Sequence, residues 1–168
     1  MYEYRITKYD PKNRNELGHY MVDEWTEFED ISHSFDGEAF NYIEYINIEN
    51  KYIYAIELLM RRHGLGSMRM RGLEKRGLTY DETLTKGMID MYDWLDHDRS
   101  ISIQIMSIFC RLILRKYVWA KLVSPKMFVH FGGNYYMYIG ASEDCSKEFR
   151  EIEASGLFVE ECESPYGR

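Results

Sequence analysis

Hydrophobic and polar residues alternate one by one near both ends of the chain. This alternation is typical of a β-strand that buries one face and leaves the other in water. At the N-terminus, Tyr2, Tyr4 and Ile6 share one side, and the polar residues Glu3 and Arg5 lie between them on the other. The pattern predicts a half-buried first strand.

The last third of the chain predicts a small sheet with a helix packed on it. Met127–Phe131 and Tyr135–Ile139 both alternate, and the Gly-Gly-Asn sequence between them favours a tight turn. Ser142 is expected to cap a helix that ends at Gly156, and Leu157–Val159 is expected to form a third strand. Whether the two strands joined by this helix run parallel or antiparallel is left open.

Apolar residues recur at helical spacing in three stretches of the middle of the chain. The first is Phe40–Arg62, the second begins at a capping box over Thr79–Glu82, and the third runs over Ile101–Tyr117 or slightly beyond. Ser67–Leu73 alternates and predicts a strand, with a weaker strand signal at Trp25–Phe28.

Together these elements predict an α+β protein. We expect a mainly antiparallel sheet of about four to six strands, with about four helices packed largely on one face. The 168 residues are enough for a single domain over 1–168, and the composition, 45% hydrophobic and 29% charged, is that of a globular protein.

The charge is acidic overall and unevenly distributed. The formal net charge is −7, residues 21–60 contain ten acidic residues and one lysine, and residues 111–141 contain five basic residues and no acid. An acidic chain is a poor general binder of nucleic acid and suits a basic partner. The blocks of opposite sign can also meet in the fold and cancel.

Trp25 lies within the most acidic stretch. If the stretch is exposed, it predicts a docking patch for a basic partner, since complementary charge speeds association and an aromatic anchor supplies affinity. The residues assigned to this patch are Asp23, Glu24, Trp25, Glu27, Glu29 and Asp30.

A second partner-binding face is predicted around His130, Tyr136 and Tyr138. Alternation places His130 opposite the apolar face of its strand, with tyrosines on the strand that follows. Such a histidine is a candidate for general acid–base chemistry on RNA, but a structural or interface histidine is the commoner case. Stacking of RNA bases on the tyrosines is a further alternative.

No other motif indicates catalysis or a bound group. The three cysteines are odd in number and widely spaced, which argues against a disulfide framework or a zinc site. The glycine-rich stretch His63–Gly72 follows a predicted helix, so it is interpreted as a helix stop and turn rather than a phosphate cradle. We therefore expect no metal, no cofactor and no enzymatic activity.

Several stretches resemble a family of small bacterial proteins of similar length. They are YRITKYDP at 4–11, DEWT at 23–26, MFVHFG at 127–132, YYMYIG at 135–140 and SGLFVEE at 155–161. The overall profile also resembles immunity proteins that neutralise polymorphic or contact-dependent growth-inhibition toxins. Those proteins are small, cytosolic, often acidic and free of catalytic motifs.

The resemblance implies a tight one-to-one complex with a cognate toxin domain, often a basic nuclease, and it carries over no site residues. The leading hypothesis is therefore a cytoplasmic toxin-neutralising protein. Another intracellular interaction module, an RNA-binding or RNA-processing protein and another enzyme remain as alternatives. The chain shows neither a signal peptide nor an apolar stretch long enough to span a membrane.

Overall fold

The alternating segments form one seven-stranded antiparallel sheet in the computed structural model, which describes residues 1–167. The strands of this part of the chain are β1 (Tyr2–Thr7), β2 (Ser34–Phe35), β3 (Glu38–Ala39), β4 (Ser67–Lys75), β5 (Ser100–Ser102), β6 (Val118–Val123), β7 (Met127–Phe131), β8 (Met137–Ala141) and β9 (Phe158–Glu161). The helices are α1 (Tyr42–Arg62), α2 (Lys86–Trp94), α3 (Met106–Leu114) and α4 (Ser146–Ala154).

The strand order of the large sheet is β5-β4-β6-β7-β8-β1-β9, and β2 and β3 form a separate small hairpin. Every neighbouring pair is antiparallel. Because β1 lies between β8 and β9 and is antiparallel to both, the two strands joined by α4 run parallel without touching. The predicted α+β class with an antiparallel sheet is confirmed.

The sheet has more strands than expected because β5 and β6 were not predicted: β5 overlaps the start of the predicted third helix, and β6 begins directly after Tyr117, where that helix was expected to end or run slightly beyond. That helix ends at Leu114, and Lys116 follows with a φ of +62°. The left-handed conformation ends many helices, but it is usually occupied by glycine. A lysine in this position gives no stop signal in the sequence, so the predicted helix ran past the observed end at Leu114, to Tyr117 or slightly beyond.

Two other helix starts also differ from the predictions. Helix α2 is capped by Thr85, whose side chain accepts a hydrogen bond from the Met88 amide, so the predicted capping box at Thr79–Glu82 is wrong. Helix α4 begins at Ser146 after Cys145, so the predicted cap at Ser142 is wrong.

The predicted strand at Trp25–Phe28 is absent, and Phe28–Asp30 forms a short 3-10 turn instead. The Asp30 carboxylate accepts hydrogen bonds from the amides of Thr26 and Glu27, at 2.7 Å and 3.1 Å. A side chain that satisfies its own neighbouring amides favours a turn over a sheet ladder.

One face of the sheet forms the hydrophobic core with the buried sides of the helices. Val129, Ile139 and Leu122 on this inner face are fully buried and pack with residues such as Ile56 of α1 and Phe109 of α3. The opposite, outer face contains charged and aromatic side chains, and the C-terminal residues 162–167 lie across part of it.

Gly140 lets an aromatic ring lie flat on the outer face. A Cβ atom at Gly140 would overlap the Phe128 ring on the neighbouring strand, whereas a Cβ at Gly133 would meet no atom within 4 Å. We expect Gly140→Ala to lower the free energy of unfolding by about 1–3 kcal/mol through overpacking. Urea denaturation measures this change, with Gly133→Ala as the matched control. Equal stability of the two variants would contradict the close approach.

Candidate functional site

A fully buried carboxylate on α1, Glu49, anchors the part of the surface that we identify as the candidate site. Its two oxygens accept hydrogen bonds from Arg115 Nε at 2.8 Å and from a terminal nitrogen of the same guanidinium at 2.9 Å. Tyr45 and Arg111 also donate to Glu49. Burial lowers the pKa of Arg115, but the bonds and charge of Glu49 outweigh it and raise the pKa above its ordinary value.

Arg115 uses its remaining contacts to fix three separate segments. It donates to the carbonyl oxygen of Thr83 at 3.1 Å and to the Tyr42 hydroxyl at 3.3 Å. Its guanidinium also lies 4.9 Å from the centre of the Phe28 ring, within the range of a cation–π contact. One buried cation therefore holds the start of α1, the 3-10 turn and the loop before α2 together.

These three segments surround a surface depression of about 440 Å³, which we call the acidic depression. It is lined by Phe28, Ile31, Tyr42, Asp81, Glu82 and Thr83. The first three residues supply half-buried apolar surface, and Asp81 and Glu82 are exposed. The arrangement is an aromatic floor with an acidic rim.

The acidic rim is charged and partly held in place. The Thr83 hydroxyl and amide donate to Asp81 at 2.5 Å and 2.8 Å, and the hydroxyl bond is the main cause that lowers the pKa of Asp81. Burial is the main cause that raises the pKa of Tyr117, and the charges of Asp81 and Glu29 raise it further. Both acids therefore lie near the Tyr117 side chain.

Two exposed apolar residues are direct sequence neighbours of residues that line the acidic depression. Ile43 follows Tyr42 on the first turn of α1 and is 78% exposed, and Tyr80 precedes Asp81 and is 75% exposed. Single exposed apolar side chains are common on protein surfaces, whereas the apolar floor formed by Phe28, Ile31 and Tyr42 is contiguous with the acidic rim. The acidic depression can therefore bind a partner that presents basic and apolar groups.

The predicted acidic patch is only partly available as a surface. Glu24 pairs with Lys8 at 2.8 Å, Glu27 pairs with Lys116, and the Asp30 carboxylate is used by the turn described above. Asp23 and Glu29 are exposed. The six residues thus do not form one free cluster.

Trp25 is packed in the core rather than presented to a partner. It is 9% exposed, stacks on Phe40 with ring centres 4.6 Å apart and contacts the Tyr45 and Tyr135 rings. The Lys8 ammonium lies 4.2 Å from its ring centre. The expectation of an accessible aromatic anchor is therefore corrected: Phe28, three residues later, reaches the surface in its place.

The structure does bring the second set of predicted residues together on the outer face. His130 lies directly opposite Tyr138 in the β7–β8 ladder, and Tyr136 lies two residues before Tyr138. Tyr136 accepts a hydrogen bond from Arg14 at 3.0 Å and lies beneath the Arg5 guanidinium, 5.5 Å from its ring centre. A partner-binding role for these three residues stays a prediction.

His130 itself is enclosed. Its Nδ1 lies 2.7 Å from the Ser164 hydroxyl oxygen, its ring stacks on Phe128 at 4.3 Å, and its side chain has no solvent exposure. Burial and the nearby Lys121 charge lower the pKa of His130 to about 4. Its environment therefore favours a neutral, structural imidazole.

The lining of the acidic depression was missed from the sequence. Asp81 and Glu82 fall at the predicted start of the second helix, Phe28 falls in the predicted strand Trp25–Phe28, and Tyr42 falls within the first predicted helix. The available signal was the run Tyr80-Asp81-Glu82, which is aromatic, acidic and outside any apolar period.

The described residues, 1–167, contain no group of three or more histidine, cysteine or acidic side chains placed to hold a metal ion. None of the helices in this range is both long enough and apolar enough to cross a membrane. Comparisons with models of protein families, with curated proteins and with solved structures found no match to the chain. The resemblance to immunity proteins therefore remains an expectation.

We expect Glu49→Gln to lower the free energy of unfolding by about 3–5 kcal/mol, because it removes the charge that compensates buried Arg115. The matched control is Glu57→Gln on the same helix, which breaks the exposed pair with Arg61 and should cost about 0–1 kcal/mol. Chemical denaturation measures both variants. Similar losses in the two would show that the buried pair has no special role.

Below neutral pH, His130 should make the protein less stable. Its pKa in the folded protein is about 4 against an ordinary 6.5, so the unfolded chain binds more protons between these values. Stability contributed by neutral His130 is present above pH 6.5 and is lost as the pH falls towards 4. His130→Gln should flatten this dependence in urea titrations at a series of pH values, and an unchanged slope in this variant would contradict the prediction.

Proposed function

We propose that this protein is an immunity protein that binds and neutralises a cognate toxin domain in the cytoplasm. The observation that carries the proposal is the acidic depression, where the half-buried apolar side chains of Phe28, Ile31 and Tyr42 adjoin the exposed carboxylates of Asp81 and Glu82. The expected partner is a basic domain, as in many nuclease toxins.

Charge complementarity supports this assignment. Carboxylates on the rim attract a basic surface and raise the rate of association, and Phe28, Ile31 and Tyr42 supply apolar area that binding can desolvate. The Arg115 contacts hold Phe28 and Tyr42 in place before binding, which lowers the entropic cost of ordering an interface. This combination suits a tight stoichiometric complex.

An interaction module of another kind would use the same surface, and only its partner would differ. The two possibilities are distinguished by the identity of the neighbouring gene product. A large secreted protein with a variable C-terminal domain, encoded immediately upstream, is the partner that the immunity proposal requires.

The test is co-expression of this protein with that C-terminal domain, followed by purification through a tag on the toxin alone. We expect a one-to-one complex and loss of toxin activity. Asp81→Lys combined with Glu82→Lys should slow association, weaken its salt dependence and reduce affinity by about tenfold or more. Glu153→Lys, an exposed reversal on α4, is the matched control and should bind normally.

Cell death despite expression of this protein, with no complex recovered, would refute the immunity proposal. A complex that forms with unchanged kinetics in the Asp81 and Glu82 double variant would keep the function and refute the acidic depression as its docking site. The Asp23→Lys and Glu29→Lys variants then test the exposed part of the originally predicted patch.

A further inference from the structure

The outer face of the sheet contains a basic depression, in contrast to the acidic chain as a whole. Arg71, Lys121 and His130 occupy directly opposed positions on three adjacent strands, β4, β6 and β7. They line a depression of about 500 Å³ together with Val123 and Phe128, and none of the described residues that line it is acidic. Its volume is in the range of small-molecule sites.

Both cations keep hydrogen-bond donors for a ligand. Among the described residues, the Lys121 ammonium donates to the carbonyl oxygens of Tyr166 and Gly167, at 2.5 Å and 3.2 Å, which uses two of its three protons. The C-terminal segment thereby fixes the position of the charge. Arg71 pairs with Asp98, but both side chains are about half exposed, so this pair is weak and can exchange for a ligand.

The floor of the basic depression is apolar and rigid. The Phe128 ring lies over Gly140 and stacks on the His130 ring at an interplanar angle of 17°. Val123 lies directly opposite Phe128 in the β6–β7 ladder. Lys121 also lowers the pKa of His130, after the larger effect of burial, and the nearby Glu3 carboxylate opposes it.

We propose that the basic depression binds a small organic anion, a carboxylate attached to an aromatic or branched apolar body. The carboxylate contacts Lys121 and Arg71, and the apolar body lies on Phe128 and Val123. This site shares no lining residue with the acidic depression, and the proposal does not depend on the immunity function.

The experiment titrates the full chain with 1-naphthoate and, separately, with its neutral analogue 1-naphthamide. Two-dimensional amide NMR locates the binding, and calorimetry measures the affinity. We expect saturable shifts at residues 121–130 with naphthoate and at least tenfold weaker binding of the amide, because hydrogen bonds to charged groups are worth about tenfold or more in affinity.

Two variants and a control test whether Lys121 and Arg71 bind the carboxylate of naphthoate. Lys121→Met and Arg71→Gln should each weaken naphthoate binding by about tenfold. Arg61→Gln, a change at another exposed arginine that has its own carboxylate partner, should leave the affinity unchanged. Arg71 is exposed and at most weakly paired, so Arg71→Gln should keep the fold. This variant therefore tests the proposal even if Lys121→Met loosens the C-terminal segment.

Several results would overturn the proposal. They are the absence of saturable shifts at residues 121–130, equal binding of naphthoate and naphthamide, and an affinity that neither variant changes. Tighter binding of an oligouridylate than of naphthoate at the same residues would also overturn it, in favour of a surface for single-stranded nucleic acid.

Discussion

The buried pair of Glu49 and Arg115 is the constraint on which the irregular half of the molecule depends. A buried charge is costly unless it is paired and fully hydrogen-bonded, and here each charge satisfies the other. Arg115 also reaches the loop at Thr83, the Tyr42 hydroxyl and the Phe28 ring. These contacts hold segments without regular structure in one arrangement. Backbone pairing in a sheet could not do so, because these segments are not strands of the large sheet.

The surface of the molecule is divided by charge. The acidic depression collects carboxylates next to apolar side chains, whereas the outer face of the sheet collects Arg71 and Lys121 above aromatic rings. The two depressions share no lining residue, and their charged side chains have opposite signs. A chain of net charge −7 therefore presents two surfaces of opposite chemical preference. We propose a basic protein partner for the first and a small anion for the second.

Much of the fold was predictable because its signals are local. Alternation located β1, β4, β7 and, within two residues, β8, and apolar periodicity located α1 to within two residues at its start. The errors occur where a signal was missing or duplicated. Lys116 takes a conformation that usually calls for glycine, and Thr79 and Ser142 imitate caps that Thr85 and Cys145 occupy instead.

The sequence by itself determined the supply of acidic and aromatic residues for the candidate site and, on the outer face of the sheet, the shared side of His130, Tyr136 and Tyr138. Only the tertiary structure decided which side chains reach the surface. Trp25 is buried because Phe40, Tyr45 and Tyr135 surround it, and Glu24 and Glu27 are paired with lysines distant in the chain. Long-range packing makes these choices, and no local pattern in the chain encodes them.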